Sequence, residues 1–316
     1  MKKSYKIIAV VAVLAVVMLL TLTGCSQTPY EKYLSTNWDS NKVERFTYDV
    51  EYKKDDTTLT GTLVTNIFKV NKDIKFTINE TVYNNADNKV ESGTYFEYTL
   101  TVDNNGYNDT VKAKVYFDAY NNQNFRPRHS FVSRDFKDLK ETMELTYSNK
   151  SVNATIITNG VETTYSADLG KSMVYDNTQL YAIARSLYFG QNGQLGFKTP
   201  VVESSTIYPK TVAMGLTAKT KGNVKNSEGV VSDDTFIKVN SGDEFNAGIA
   251  IVTSNEKPAG LPTSLLVVDG TVTFNGGADK FTQPIIQITE GNGKVFSLNA
   301  IISNMEKIDF NEVDFN

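Results

Sequence analysis

The sequence predicts a mostly β chain in antiparallel order, with one main amphipathic helix at about residues 176–189. Three observations lead there. Apolar side chains recur with a period of two along much of the chain, as in strands with one wet face. Asn-Gly pairs stand between such runs, and Asn-Gly tolerates the positive φ that a two-residue hairpin turn demands. No crossover helices separate the runs, so antiparallel order is the natural inference.

The first run is Phe46, Tyr48, Val50 and Tyr52, alternating with Thr47, Asp49 and Glu51. Ile74, Phe76 and Ile78 repeat the pattern until Glu80 breaks it. Phe96, Tyr98, Leu100 and Val102 form the next run, and Val111, Ala113, Val115 and Phe117 the one after, against Lys112, Lys114 and Tyr116. Between these two lies Asp103–Asp109, with Asn105-Gly106 at its centre, which reads as a hairpin tip. An acidic loop can also hold calcium. Here Gly106 falls fourth after Asp103 rather than sixth and no distal Glu completes the loop, so the turn is the better reading.

A second hairpin spans residues 152–158 and 161–169 around Asn159-Gly160. Further strands are expected at 211–219, 235–239, 248–253, 265–274, 285–289 and 295–302, with Asp269-Gly270 and Asn275-Gly276 as turns. The helix interrupts this series. Asp176 and Gln179 have capping-box spacing, Leu180, Ile183, Ala184, Leu187 and Tyr188 fall on one helical face, Arg185 sits at its edge, and Gly190 follows as a stop. Such a stripe packs against a sheet. Pro200 and the polar run 219–234 are too short to serve as linkers, so residues 41–316 are expected to form a single β-rich domain.

The charge balance is mild, with 32 basic and 36 acidic residues and a formal net charge of −4. The basic residues form no stripe, so nucleic acid is not an expected partner. Seventeen Tyr and 17 Phe supply bulk for a core. One histidine and one cysteine leave no set for a Ser-His-Asp site, a Cys-His site or a zinc site. No Walker or dinucleotide fingerprint appears, and no metal or cofactor is expected. Paired carboxylates for a hydrolase cannot be picked out by spacing alone. Asp233-Asp234, Asp309, Glu312 and Asp314 read more simply as solvated. One cluster is a candidate for anion or ligand contact: Arg126, Arg128 and His129, with Arg134 nearby. The alternative is an exposed loop whose charges pair with Asp135 and Asp138.

The chain opens with Lys2, Lys3 and Lys6, then an apolar run from Ile7 to Leu20. This is the layout of a secretory signal, with a core shorter than the roughly 20 residues of a membrane span. Leu22-Thr23-Gly24-Cys25 closes it and resembles the lipobox of bacterial lipoproteins. The resemblance implies cleavage after Gly24, a diacylglyceryl group on Cys25, and a lipid-anchored protein on the extracytoplasmic face of a membrane. Residues 1–24 are then the signal peptide and 25–40 a polar tether, on which Tyr30, Tyr33, Leu34 and Trp38 offer docking points.

The order of long aromatic-rich strands, one capped helix (Tyr175 to Leu187) and further strands is similar to that of LolA-type envelope carriers and related lipoproteins of uncharacterised function. The later stretches Pro258–Gly270 and Gln283–Ile286 add to the impression. The resemblance implies a curved sheet or incomplete barrel around a helix, enclosing an apolar cavity. It carries no diagnostic motif and therefore no binding residues. The expected function is non-catalytic: a cell-envelope lipoprotein that binds a hydrophobic or amphipathic ligand or assists envelope assembly. A surface interaction or adhesion module that binds protein or wall glycan is the alternative, and a carboxylate-dependent hydrolase the third reading.

Overall fold

Alternation maintained over 13 residues makes β1 (Lys42–Lys54) long enough to cross a whole sheet. Its Phe46, Tyr48 and Val50 are buried, whereas Asp49 and Glu51 face water. The computed structural model describes residues 42–54, 56–71, 74–84, 93–120, 123–148, 151–168, 179–185, 194–203, 206–225, 230–231, 235–236, 244–253, 262–268, 271–274, 276–291, 296–313 and 315.

After β1 come β2 (Thr57–Val70), a small hairpin of β3 (Phe76–Ile78) and β4 (Thr81–Tyr83), then β5 (Gly93–Asn104) and β6 (Tyr107–Tyr120). The first half ends with β7 (Gln123–Phe136), β8 (Leu139–Tyr147), β9 (Ser151–Thr158) and β10 (Val161–Asp168). A six-residue helix, α1 (Gln179–Ala184), precedes β11 (Gln194–Glu203), β12 (Thr206–Lys225), β13 (Val230–Val231), β14 (Thr235–Phe236) and β15 (Glu244–Thr253). The last strands are β16 (Pro262–Val268), β17 (Thr271–Val272), β18 (Phe281–Thr282), β19 (Ile285–Gly291) and β20 (Phe296–Asp309).

Fourteen strands form one sheet in the order β10-β9-β8-β7-β6-β5-β2-β1-β20-β19-β16-β15-β12-β11. All its pairings are antiparallel. Two meandering arms therefore meet at the centre, where the first strand pairs with the last from Lys42↔Asp309 to Lys54↔Phe296. Only this pairing is strongly non-local in the sheet. Its register shifts at Ser303, the extra residue opposite Thr47 and Tyr48, and the Ser303 hydroxyl donates to the Thr47 carbonyl at 3.2 Å. Similar shifts interrupt β6–β7, β11–β12 and β12–β15. Bulges bend a strand and increase its twist. The sheet curls until β10 approaches β12, giving an incomplete barrel.

Strand alternation then gives the curl an apolar inside. One cluster joins Phe46, Tyr48, Val50, Leu63, Ile67, Phe96, Val115, Phe117, Ile288, Ala300 and Ile302 with α1. A second, on β6 to β9, gathers Ala113, Val132, Met143, Leu145, Val152, Ala154 and Ile156, and Tyr98 touches both. Each fully buried Val, Leu, Ile or Phe among them contributes about 1.5–3 kcal/mol of burial free energy. On the opposite face, Phe68, Val70, Phe76, Tyr95 and Tyr116 form a third cluster with Phe315 packed in it and Phe310 against it.

Both expected hairpin turns are present. Asn105 and Gly106 have φ of 54° and 82°, and Asn159 and Gly160 have 48° and 85°, the paired positive values of a type I′ turn. The Asp103 carboxylate accepts the Gly106 N–H at 2.9 Å, so it serves the turn. Most of the strands expected after residue 46 are found, several of them longer than the apolar alternation. The one expected at 265–274 is divided between β16 and β17, and of 235–239 only Thr235–Phe236 is described. β2, β8 and β11 occupy stretches where no strand was expected. The structure also corrects the reading of residues 124–129 as a loop, since they lie on β7. Of the expected helix, α1 and Arg185 are described, while Asp176 and Leu187 lie outside the described residues. Tyr181, Ala182, Ile183, Ala184 and Arg185 are all buried, so this segment is enclosed rather than laid on the sheet by one face. Asp269-Gly270, Asn275 and everything before residue 42 also lie outside the described residues.

Candidate functional site

Six residues do not hold a helix in water by themselves. What holds α1 is its surroundings on the inner face. Tyr181 stacks on Phe96 at 6.0 Å between centroids and tilts against Tyr98 at 5.6 Å. One residue past the helix, Arg185 Nη2 donates to Glu44 Oε2 at 2.6 Å and to the Thr282 carbonyl at 2.7 Å. Its Nε donates to the Gln283 carbonyl at 3.2 Å. The guanidinium carbon stands 4.6 Å above the Phe46 ring, a cation–π contact.

Glu44 and Arg185 are 1% and 2% exposed. Burying such charges carries a large desolvation cost, which only close pairing and further hydrogen bonds offset. Lys307 of β20 approaches the other Glu44 oxygen at 3.7 Å, with its ammonium 5.9 Å from the Phe281 ring. Beside this cluster the Tyr48 hydroxyl donates to the Ile285 carbonyl at 2.9 Å. Burial pushes the Tyr48 phenol far above its ordinary range, with Arg185 opposing the shift. Two cations thus converge on one carboxylate inside an aromatic lining. The arrangement can fix α1 and present positive charge; it brings no second carboxylate for glycoside hydrolysis among the contacts described.

On the other face, β7 carries an extra residue, Arg128, between the pairs Phe117↔Pro127 and Tyr116↔His129. The bulge leaves Arg128 exposed and His129 buried. His129 Nε2 lies 2.8 Å from Glu144 Oε1 and Nδ1 lies 2.8 Å from the Tyr83 hydroxyl. With the carboxylate accepting from Nε2–H, Nδ1 accepts the phenol proton. Asn79 Nδ2 donates to the second Glu144 oxygen at 3.0 Å.

Hydroxyl, imidazole and carboxylate in series are the parts of a nucleophilic relay. Here burial pushes Tyr83 up to about 12 and pulls His129 below its ordinary value, the latter opposed by Glu144. The Tyr83 ring is packed between Phe76 and Tyr116 at 5.0 and 5.1 Å. A phenol held protonated and wedged between rings is a clasp on the β3–β4 hairpin, not a nucleophile.

The bulge therefore separates Arg128, which is exposed, from His129, which is buried. His129 faces inward with both ring nitrogens engaged, so burial removes it from the proposed anion contact. Arg128 is exposed, and the Arg126 side chain lies outside the described residues. Arg134 pairs with Glu141, which also accepts from Thr158 at 3.3 Å, rather than with Asp135 or Asp138. Asp135 instead pairs with Lys140 and accepts from the Tyr107 hydroxyl at 2.5 Å. Tyr83, Glu144, Glu44 and Lys307 were not singled out by the sequence. Their partners lie 15 to 263 residues away, and no local spacing connects them. Cys25 lies outside the described residues.

No protein-family model matches the chain, and no curated protein matches it. Among solved structures it is similar to a β-barrel-like protein of a domain of unknown function, DUF1849, from Brucella abortus. The identity is 13% and the TM-score 0.43, over 86% of this chain and 100% of that one.

Proposed function

We propose that the protein is a non-catalytic, extracytoplasmic lipoprotein, anchored by acyl chains on Cys25, whose curled sheet takes up a hydrophobic or amphipathic ligand on its inner face. The observation that carries this reading is the apolar lining that runs without a break from β6 through β1 to β16 and encloses α1. Half-buried Tyr52, Tyr98, Leu100, Val272 and Ile301 extend it. The outer face of β1 carries Arg45, Thr47, Asp49 and Glu51. That polarity is the reverse of a lipid-embedded barrel, whose apolar band points outward. The lipobox supplies the anchor, and two acyl chains suffice for stable membrane attachment.

The test uses the chain from Ser26, which keeps every described element because these begin at Lys42. Native mass spectrometry is expected to show an acyl-chain adduct from the cell envelope or uptake of an added one. A chain that stays ligand-free against a panel of acyl lipids overturns the reading. Separately, Cys25→Ala is expected to move the full-length protein from the detergent to the aqueous phase in a partitioning assay. A wild type already in the aqueous phase overturns the anchor.

A second reading, a surface module binding a protein or wall glycan, is favoured by one observation. Among the described residues, the exposed large apolar side chains are Ile157 and Val161, 37% and 69% exposed, both on the outermost hairpin β9–β10. Loss of wall binding in Ile157→Lys/Val161→Lys, with acyl uptake unchanged, would favour that module.

A further inference from the structure

We infer that β10 is an interaction edge, along which a second copy of this chain adds its own β10 in antiparallel order, with Thr164 on the two-fold axis. The 14-stranded sheet ends in β10 on one side and β11 on the other. A sheet edge offers a row of unpaired N–H and C=O groups, and edges that stay open to water are guarded by lysine, proline or a bulge. β11 is guarded in all three ways. It carries Lys198 and Pro200, and its register shifts between Pro200 and Val202. β10 has none of these guards. It runs from Val161 to Asp168 without lysine or proline, and its pairing with β9 is regular from Val161↔Thr158 to Asp168↔Ser151. Although β10 approaches β12 as the sheet curls, the two form no ladder among the described residues. Val161, Glu162, Thr163, Thr164 and Ser166 are exposed.

The turn fixes which groups point outward. Asn159 and Gly160 form a two-residue loop, so Thr158 and Val161 close it as a hydrogen-bonded pair. Bonded and non-bonded pairs then alternate, and Glu162, Thr164, Ser166 and Asp168 turn their N–H and C=O groups away from β9. The loop itself is pinned. The Asn159 N–H donates to the Lys140 carbonyl at 2.8 Å, and the Lys140 N–H donates to Asn159 Oδ1 at 2.9 Å. Outward residues can bond only to outward residues, which limits the registers open to two copies. Centring on Glu162 sets that residue against itself, and centring on Tyr165 sets Glu162 against Asp168. Like charges directly opposite destabilise both arrangements. Centring on Thr163 or Ser166 pairs shorter stretches. Centring on Thr164 opposes Glu162 with Ser166, Thr163 with Tyr165 and Val161 with Ala167, and it opposes no like charges. Val161, 69% exposed, then lies opposite Ala167 of the second copy.

One added strand on each side buries less than a standard interface, so the dimer is weak, with a Kd on the order of 100 µM. Sedimentation equilibrium of the chain from Ser26, up to about 1 mM, is expected to show monomer and dimer in exchange. Thr164→Pro keeps every bond to β9, because the N–H it removes points outward, and is expected to weaken dimerisation at least about tenfold with the circular dichroism unchanged. Thr164→Lys, which keeps the N–H but sets two ammonium groups opposite each other, is expected to do the same. The chain from Ser26 has no cysteine, so an introduced one reports the register. Across the axis the two Thr164 Cα atoms stand about 5.5 Å apart, within reach of a disulfide. Thr164→Cys is therefore expected to form a covalent dimer with diamide, and Glu162→Cys to remain monomeric under the same oxidation. A chain that stays monomeric at the highest concentration overturns the pairing and leaves the edge to a different strand. A dimer that persists in Thr164→Pro overturns the edge, and equal crosslinking of the two cysteine variants overturns the register.

Discussion

Glu44 and Arg185 are joined by a 2.6 Å hydrogen bond across 141 residues of chain, tying the first strand of the sheet to the helix inside it. Neither partner can be reached by water to an extent that would replace the other. Removing one side of such a pair leaves a buried charge uncompensated, at a cost of about 3–5 kcal/mol. Glu44→Gln strands two cations and is expected to fall in that range. Glu44→Gln/Arg185→Met removes the stranded guanidinium and is expected to recover part of the loss. Urea unfolding of the two single variants and the double variant measures the coupling. Strictly additive losses would mean the pair contributes nothing as a pair.

The clasp between Tyr83, His129 and Glu144 predicts a pH dependence with a definite sign. Burial lowers the His129 pKa from 6.5, so the folded chain binds fewer protons than the unfolded chain as pH falls below that value. The contribution is complete above pH 6.5 and declines as the medium is acidified through the window between the unfolded and folded pKa values. His129→Gln is expected to flatten the slope of melting temperature against pH between about 5 and 6.5. Tyr83→Phe, which removes the hydroxyl at Nδ1, is expected to cost about 1 kcal/mol at neutral pH. An unchanged slope in His129→Gln would assign the titration elsewhere.

What the sequence revealed was local in range. The Asn105-Gly106 and Asn159-Gly160 turns need particular φ values at particular residues, so the residues announce them. Alternation at Phe46–Tyr52 and Val111–Phe117 announces strands for the same reason. Strand β7 escaped because the bulge at Arg128 shifts its alternation by one, and charged residues around a proline read as a loop. The pairing of β1 with β20 has no local signature at all, since it depends on which arms of the sheet meet. Both clusters of the candidate site inherit that difficulty. Glu44 looked like one more polar residue before a strand, and only the fold brings Arg185 and Lys307 to it.

Gly61 is where the sheet demands the absence of a side chain. It lies on β2 opposite both Val50 and Val102, and a Cβ there would come within 2.1 Å of the Thr101 carbonyl oxygen. The obstacle is backbone, which cannot rotate away. Gly61→Ala is expected to cost about 3 kcal/mol and to expose β2–β5 amides to hydrogen exchange. Gly106→Ala is the comparison: its φ is +82° but nothing lies within 4 Å, so the cost is conformational strain of about 1–2 kcal/mol at the turn. Its strand amides are expected to stay protected. Equal protection loss in both variants would contradict the close approach.

The C-terminal residues act on the outer face as the clasp does, from the other side of the same hairpin. Phe315 packs on Phe68 at 4.7 Å and Tyr95 at 5.6 Å, and its carbonyl accepts the Thr77 N–H at 3.0 Å and the Lys114 ammonium at 3.5 Å. Thr77 is the middle residue of β3, so β3–β4 is fixed at one end by Phe315 and at the other by Tyr83 and His129. Phe315→Ala removes a nearly buried ring, with an expected loss of about 3–5 kcal/mol. If the hairpin is fixed at two points, Thr77 exchange should accelerate strongly in Phe315→Ala and weakly in Tyr83→Phe. The double variant should then release all of residues 76–83 while β1–β20 amides remain protected. Thr77 exchange that tracks global unfolding in every variant would show instead that hairpin and sheet open as one unit.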